Sequence, residues 1–516
     1  MPPVFRHVFR LSAKLRIKYV WIDCLCIVQD EIADWRAESK KMGNYYQFSC
    51  FTIAAIGTFS DENIRQGLAN TLIRPQNLAR LPYRDRKGEK RGYFYVYPTT
   101  EAGSLAQFYE NYITDSELLT RGWIFQEWIL SRRIVCFTPY ALFLQCQCPK
   151  EEPQNHLGEY VRPYPAEPKK LLKPHETPAP ELSIKSTLSL DPPCLLGAYC
   201  IWEMLVEQYS KTTLSRPQSD RVIALSGVAG ELEKLIKSAL SRLESGMAAE
   251  EMFVAGLWMG DLCRGLLWEQ VVAGRHQRLT NFPTWSWASV YTGIRWNAIQ
   301  HGRGFIYFAG DSDDPLEGWV RDRISIECTI EGITPIPSSQ FHLGDEDTAT
   351  QEPDSRGQSN GIFDNQGDID GCFLAVGIRG RLIAVVVSRR FGDEETFYSA
   401  SDRTGHDARA IKGYHQQRIV TIPLNGDITC GWASVEEPTL QNDEDFSPNP
   451  MIFALLVSIV TVREGVFSSE KALNVLFLRR DNRIVDGFAR IGVGRMFGKV
   501  AEKGFRLATI RNLKLV

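Results

Sequence analysis

Residues 18–57, KYVWIDCLCIVQDEIADWRAESKKMGNYYQFSCFTIAAIG, carry the densest pattern in this chain and limit what the rest can be built around. Residues 19–22 are a short apolar run of β-formers stopped by Asp23, and residues 51–56 are a second such run stopped by Gly57. Between them the spacing predicts one helix, with Asp34 as its N-cap and Trp35, Met42, Tyr45, Tyr46 and Ser49 near one face. Two nearly all-apolar strands joined by a helical crossover make a βαβ unit, which predicts a parallel sheet buried on both faces.

Glu38 breaks that pattern. It lies three residues after Trp35 and four before Met42, which puts a carboxylate in the apolar stripe instead of on the solvated face. It can pair with Lys41 or snorkel at the rim of the stripe. The sharper alternative is a carboxylate near the carboxyl end of the first strand, where open parallel sheets bind their ligands.

These residues resemble the core of the fungal heterokaryon-incompatibility (HET) domain. Trp21, Asp23, Cys26 and Gln29 fit its W-I-D-x-L-C-I-x-Q pattern, and Asp34, Trp35, Glu38 and Met42 fit D-W-x-x-E-x-x-x-M. Further on, Arg121, Gly122, Trp123, Gln126, Glu127, Ser131 and Arg133 match R-G-W-x-x-Q-E-x-x-L-S-x-R. Trp285 and Trp287 fall in a trailing P-x-W-S-W-A-S, and SDRVIALSGVA (219–229) and AGLWMGDLCRGLLW (255–268) keep the family's order. The family's domain opens with a strand like L-S-Y-x-W-G, whereas this chain starts inside the helix that follows it, with Pro2 and Pro3 at the helix N-terminus. The resemblance therefore implies a HET domain lacking its first strand, from an incomplete gene model or a naturally shortened form.

The family is associated with cell death after incompatible hyphae fuse, and its domain distantly resembles TIR domains, some of which cleave NAD. By that resemblance Glu38 becomes a candidate catalytic carboxylate that stabilises oxocarbenium character as the nicotinamide–ribose bond breaks. Asp23 becomes a second candidate, orienting ribose or holding the next loop, and Trp35 a surface for the nicotinamide ring. NAD enters as a possible substrate; no bound cofactor is implied.

Composition narrows the alternatives. The 516 residues are 44% hydrophobic, enough for two or more domains with sizeable cores, and the formal charge of −3 disfavours nucleic acid as a partner. No apolar run approaches a membrane span, and Met1 is not followed by an apolar signal core. Twelve cysteines are dispersed, several in strand-like runs (Cys136, Cys328, Cys430), which favours reduced, buried thiols in the cytoplasm over a disulfide framework. The C-x-C pairs Cys24/Cys26 and Cys146/Cys148 could offer thiolates to zinc, but the spacing is wrong for a ribbon and no His clusters nearby. Buried structural thiols are the simpler reading, and no metal site is expected. P-loop, nucleophile-elbow and dinucleotide fingerprints are lacking.

Along the chain, RDRKGEKRGY (84–93) predicts a basic turn between short strands, and residues 115–130 a capped helix carrying Trp123, Gln126, Glu127 and Leu130 on one face. The simplest role for Trp123, Gln126 and Glu127 is a polar network that fixes the helix to the sheet. Strands follow at 133–137 and 141–146, then a Pro-rich linker. Next come helices from residue 199, with Ser219 and Asp220 as a cap, helix at 222–237, and another short helix at 253–268. The tryptophans of PTWSWAS suit core packing. Strands are predicted at 324–330, 373–376, 382–387, 418–423, 451–460, 472–479 and 487–493, with a hairpin across 480–483 and loops at 345–366 and 436–450.

The expected architecture is α/β. An open parallel sheet with flanking helices, TIR-like and short of its opening strand, occupies 1–148. A linker (149–195), a helical segment (196–290) and an α+β region rich in antiparallel strands (291–516) follow. The leading function is incompatibility and cell-death signalling through self-association or a partner protein; NAD cleavage through Glu38 and an inactive remnant are the alternatives. A signalling module predicts an exposed apolar patch, whereas an enzyme needs Glu38 at a concave site.

Overall fold

The computed structural model describes residues 1–56, 68, 79–96, 109–138, 142–146, 154–155, 195–241, 251–271, 278–296, 324–337, 372–390, 417–423, 427–436, 451–464 and 468–516. Residues 149–153 and 156–194 of the expected linker, the 345–366 loop, residues 437–450, Gly57 and Cys148 lie outside them. The chain forms two compact units: residues 1–191 with 212–214 and 224–231, and residues 192–211, 215–223 and 232–516.

In the first unit, helix α1 (Pro3–Lys14) starts with proline in its first turn, and a single turn α2 (Asp23–Cys26) precedes the long helix α3 (Ile32–Phe48). Strand β1 (Thr52–Ala55) follows, then the hairpin β2 (Ala79–Arg84) and β3 (Lys90–Val96) around the basic turn. Helix α4 (Gly122–Leu130) leads into β4 (Arg133–Phe137), β5 (Leu142–Cys146) and β6 (Gln154–Asn155). The sheet order is β1-β4-β5-β6; β1 and β4 run parallel with Thr52 opposite Ile134, and the other pairs are antiparallel. Ala54, Ile56, Ile113, Trp128, Ile134, Cys136 and Phe143 form its core.

Four expectations for this unit are corrected. Residues 19–22 are not a strand: they find no ladder partner among the described residues, Tyr19 is 88% exposed, and the Ile22 carbonyl already accepts the N–H groups that begin α2. The parallel pair is consequently β1–β4, within a mixed sheet. Asp34 is not the N-cap, because α3 begins two residues earlier; its carboxylate accepts the Val28 N–H at 2.8 Å and fastens the incoming loop. The helix predicted over 115–130 is α-helical only from Gly122, since the backbone on either side of Arg121 is spent on Thr213: Gly122 N–H donates to its carbonyl and Thr213 N–H to Thr120, each at 2.7 Å. Cys24 and Cys26 are exposed rather than buried, because α2 sits at the surface.

Among helices of the rest of the chain are α5 (Leu195–Tyr209) and α6 (Ser226–Ser241), whose residues 226–231 belong to the first unit. Ser219 and Asp220 do not cap α6; they lie inside a separate turn, Pro217–Asp220, where the Ser219 hydroxyl meets the Asp220 carboxylate at 2.5 Å. Residues 253–268 are not one helix. They form the hairpin β7 (Phe253–Val254) and β8 (Leu257–Trp258), then the turn α7 (Leu262–Gly265) and β9 (Trp268–Gln270), which pairs with β10 (Ile294–Trp296). The reason is local: Ala255 and Gly256 both adopt positive φ, 47° and 87°, which suits a two-residue hairpin turn and breaks a helix.

The antiparallel region matches its expectation and closes further than the pattern showed. Strands β11 (Ile324–Ile326), β12 (Thr329–Pro337), β13 (Cys372–Arg390), β14 (Gln417–Pro423), β15 (Asp427–Val435), β16 (Ile452–Glu464), β17 (Ser468–Arg480) and β18 (Gly487–Phe497) share one sheet with β19 (Ile510–Leu515). The pairings β13-β14-β15-β18-β17-β16 return to β13, so six strands close on themselves. Val387, Val420, Ile452, Val475, Phe477 and Met496 contribute to the core of this ring. The two strands expected at 373–376 and 382–387 are one, β13: its first half pairs with β12 and β19, its second with β14 and β16. Helix α8 (Gly498–Leu507) packs Ala501 and Phe505 on the same core, and Arg381 donates to the carbonyls of Phe505, Arg506 and Ala508 at its C-terminus. Among the described residues no helix is long and apolar enough to cross a membrane.

Candidate functional site

The family-motif residues of the first unit lie on α3, on and around α4 and in the loop before α3, and several are fixed by internal contacts. The buried Gln126 side-chain oxygen accepts the Gly227 N–H at 2.7 Å. Ser131, fully buried, donates to the Glu127 carbonyl at 2.6 Å and meets the Thr52 hydroxyl at 2.6 Å, tying α4 to β1. Gly122 is buried where any Cβ would lie 2.5 Å from Leu214. Met42 is core; Trp123 and Trp35 pack edge to face at 6.0 Å. Trp21 lies against Tyr45 and Tyr46, ring centres 5.2 and 5.6 Å away. Gln29 donates to the carbonyls of Asp23 and Ile27, and the Cys26 sulfur accepts the Ile22 N–H at 3.5 Å, so both shape the loop around α2. Arg133 is exposed at the start of β4.

Glu38 and Asp23 face different groups. The Glu38 carboxylate is bonded to Lys41 Nζ at 2.9 Å and to the Tyr45 hydroxyl at 2.7 Å, with 15% of the side chain exposed. The Lys41 hydrogen bond, then that from Tyr45, holds its carboxyl below the usual range, so it is ionised at neutral pH. Lys41 is therefore its partner, the first of the two readings the sequence allowed. Asp23 is exposed and acts electrostatically on Tyr46 and Glu127.

Among the described residues of this unit, Glu127 carries a strongly perturbed carboxyl. Part of the residue reaches solvent, yet its carboxyl is surrounded by protein and pushed up to about 8, by desolvation first and by Asp23 next, against a hydrogen bond from Tyr46 and the charge of Arg121. Tyr46 is raised well above its ordinary value, chiefly by burial and then by Glu127. Sequence spacing had marked Glu127 as a carboxyl on an apolar face but could not show Tyr46, 81 residues away, as its partner.

Trp285 and Trp287 belong to the second unit and are fully buried. The Trp287 and Trp202 indoles both donate to the Gly256 carbonyl, at 2.8 and 3.0 Å, and Trp268 donates to the Trp285 carbonyl at 3.0 Å. They pack the core there. Two hollows also lie in this unit: one beside Trp202, Trp258 and Trp296, and a groove of about 540 Å³ between α8 and strands β16 and β17. Neither is lined by Asp23, Trp35, Glu38 or Glu127. Among the described residues no cluster of three or more His, Cys, Asp or Glu is set to hold a metal.

No curated protein matches the chain, and no solved structure does, so the TIR-like likeness gains no support from known folds. Residues 1–127 match the family model described as Heterokaryon incompatibility protein (HET), the segment that contributes α1 to α3, β1 and most of α4, and the chain thus carries a HET domain.

Proposed function

We propose that the first unit is a signalling module of the fungal incompatibility response, in which non-self recognition after hyphal fusion leads to cell death. The observation that carries this reading is the match over residues 1–127. Motif residues spent on internal bonds, as Gln126 is on Gly227, Ser131 on Glu127 and Thr52, and Gly122 on Thr213, suit a rigid frame that presents a surface to a second copy or a partner protein. The test is inducible expression in fungal cells: wild-type chain should arrest growth and Gly227→Val, which wedges a side chain between α3 and α6, should not. Normal growth with well-expressed wild-type chain would sink the proposal.

A second reading, cleavage of NAD, is favoured by one feature. Glu38 is held ionised by Lys41 and Tyr45, the state required of a carboxylate that stabilises positive charge on a ribose. Nicotinamide release by purified chain, compared with Glu38→Gln, tests it. Growth arrest by a chain that leaves NAD untouched keeps the signalling role and removes the chemistry.

A further inference from the structure

The sequence sets two of its cysteine pairs close together, Cys24/Cys26 and Cys146/Cys148, yet among the described residues it is the sulfurs of Cys263 and Cys328, 65 residues apart, that meet. The Cys328 thiol points at the Cys263 sulfur at 3.5 Å, and the Cys263 thiol points at the Cys328 carbonyl at 3.8 Å. Both residues belong to the second unit. Cys263 sits on the single turn α7 and is partly exposed; Cys328 is buried at the bend between β11 and β12. A disulfide needs its sulfurs at about 2.0 Å, so closure asks for roughly 1.5 Å of travel. Gly380 of β13 packs against Cys328, where a Cβ would lie 3.2 Å from the Cys328 Cβ, so that backbone is confined. The travel falls to the Cys263 side chain, on a turn bounded by Gly260 and Gly265.

We propose that Cys263 and Cys328 are a peroxide-reactive dithiol that closes to a reversible disulfide. The reactivity is divided between them. The hydrogen bond from Cys328 holds the Cys263 thiol below its ordinary value, and the Arg264 guanidinium adds to this, against burial and the Asp261 carboxylate. Donating that bond, and burial after it, raise Cys328. Cys263, partly exposed, is thus the attacking sulfur and Cys328 the resolving one. The Cys263 thiolate attacks one oxygen of hydrogen peroxide, forming an S–O bond and breaking O–O; the departing hydroxide takes up the proton the thiol released and leaves as water. The Cys328 sulfur then attacks the sulfenic sulfur, S–S forms, S–O breaks, and the second hydroxide leaves as water with the Cys328 proton. Two thiols lose two hydrogens, and one peroxide becomes two waters. The product ties α7 to the outer strands of the nine-stranded sheet.

The full chain, reduced and desalted, is treated with a few equivalents of hydrogen peroxide, blocked with iodoacetamide and digested with trypsin without reductant. Residues 243–264 and 324–356 are tryptic peptides with one cysteine each. The expected result is a linked pair weighing two hydrogens less than the sum of the two peptides, separated by dithiothreitol. In Cys328→Ser, the Cys263 peptide should instead gain two oxygens as the sulfinic acid. The proposal is overturned if wild-type chain yields both peptides singly alkylated while the exposed Cys24, Cys26 or Cys50 is oxidised. It is equally overturned if wild-type Cys263 runs to the sulfinic acid with Cys328 left free. The wild-type digest decides the matter whether or not the variant folds.

Discussion

Gly43 of α3 and Gly227 of α6 meet backbone against backbone. A Cβ at Gly43 would lie 2.9 Å from the Gly227 Cα, and one at Gly227 would lie 2.8 Å from the Gln126 side-chain oxygen and 2.9 Å from Leu130. The approach is what lets Gln126 reach the Gly227 N–H. Gly227→Ala should therefore destabilise the first unit by about 1–3 kcal/mol, the usual cost of overpacking a closed contact. The shift of the urea midpoint, followed by tryptophan fluorescence, measures it; an unchanged midpoint would show that the helices can part freely.

Glu127 gives the first unit an unusual pH response. Its folded value, about 8, stands above its ordinary 4.5, so between those two values the folded chain holds a proton that the unfolded chain has lost. Stability then falls as pH rises through that window, with a limiting slope of about 1.4 kcal/mol per pH unit. Glu127→Gln should flatten the dependence while keeping an acceptor for Tyr46. Urea midpoints at pH 5.5, 6.5 and 7.5 for both chains make the comparison.

Glu38 should respond in the opposite direction and weakly. Its carboxyl is depressed by Lys41 and Tyr45, so its contribution is present above the ordinary value of 4.5 and is lost as pH falls through the lower folded value. Lys41 is largely exposed, and solvent screens the pair. Glu38→Gln should shift the midpoint at pH 7 less than Gly227→Ala does, and the difference from wild type should vanish in acid. A larger loss than Gly227→Ala at pH 7 would assign Glu38 a structural weight that these contacts do not account for.

In the second unit, Arg490 of β18 is fully buried, stacked over the Trp268 ring at 3.5 Å and ion-paired with the buried Glu436. Burial pulls Arg490 down to about 10 and pushes Glu436 up. Replacing one partner strands the other charge, so Glu436→Leu should cost about 3–5 kcal/mol. The double replacement Glu436→Leu with Arg490→Met should recover a large part of that. A thermal-unfolding double-mutant cycle tests it; additive losses would show that the pair is not coupled.

The parts legible in the sequence were those written in local period. Helix α3, strand β1, the basic hairpin and the apolar strands from β16 to β18 each announce themselves within a short stretch of chain. Residues 19–22 misled because composition registers an apolar β-forming run but not whether a ladder partner exists. Residues 253–268 misled because positive φ at Ala255 leaves no trace in an apolar run. Closure of the ring rests on β13 finding β16, Leu382 opposite Leu455, which no local signal encodes. For the site, Glu38 with Lys41 is an (i, i+3) pair and so was foreseeable, whereas Glu127 with Tyr46 depends on how α3 and α4 come together.

Strand β19 lies antiparallel to the first half of β13, Val376 opposite Leu515, and parallel to the start of β18, Phe488 opposite the same residue. Seen as an event in time, the β13–β19 join links segments more than a hundred residues apart, and the chain entropy it consumes is returned only after the hairpins β16–β17 and β17–β18 have formed. The nine-stranded sheet thus has a built-in order of assembly: neighbours zip first, the ring closes second, and residues 510–515 dock last. Amide protons of β19 should exchange with solvent while those of β17 are still protected, since the seam sealed last is the one that opens first.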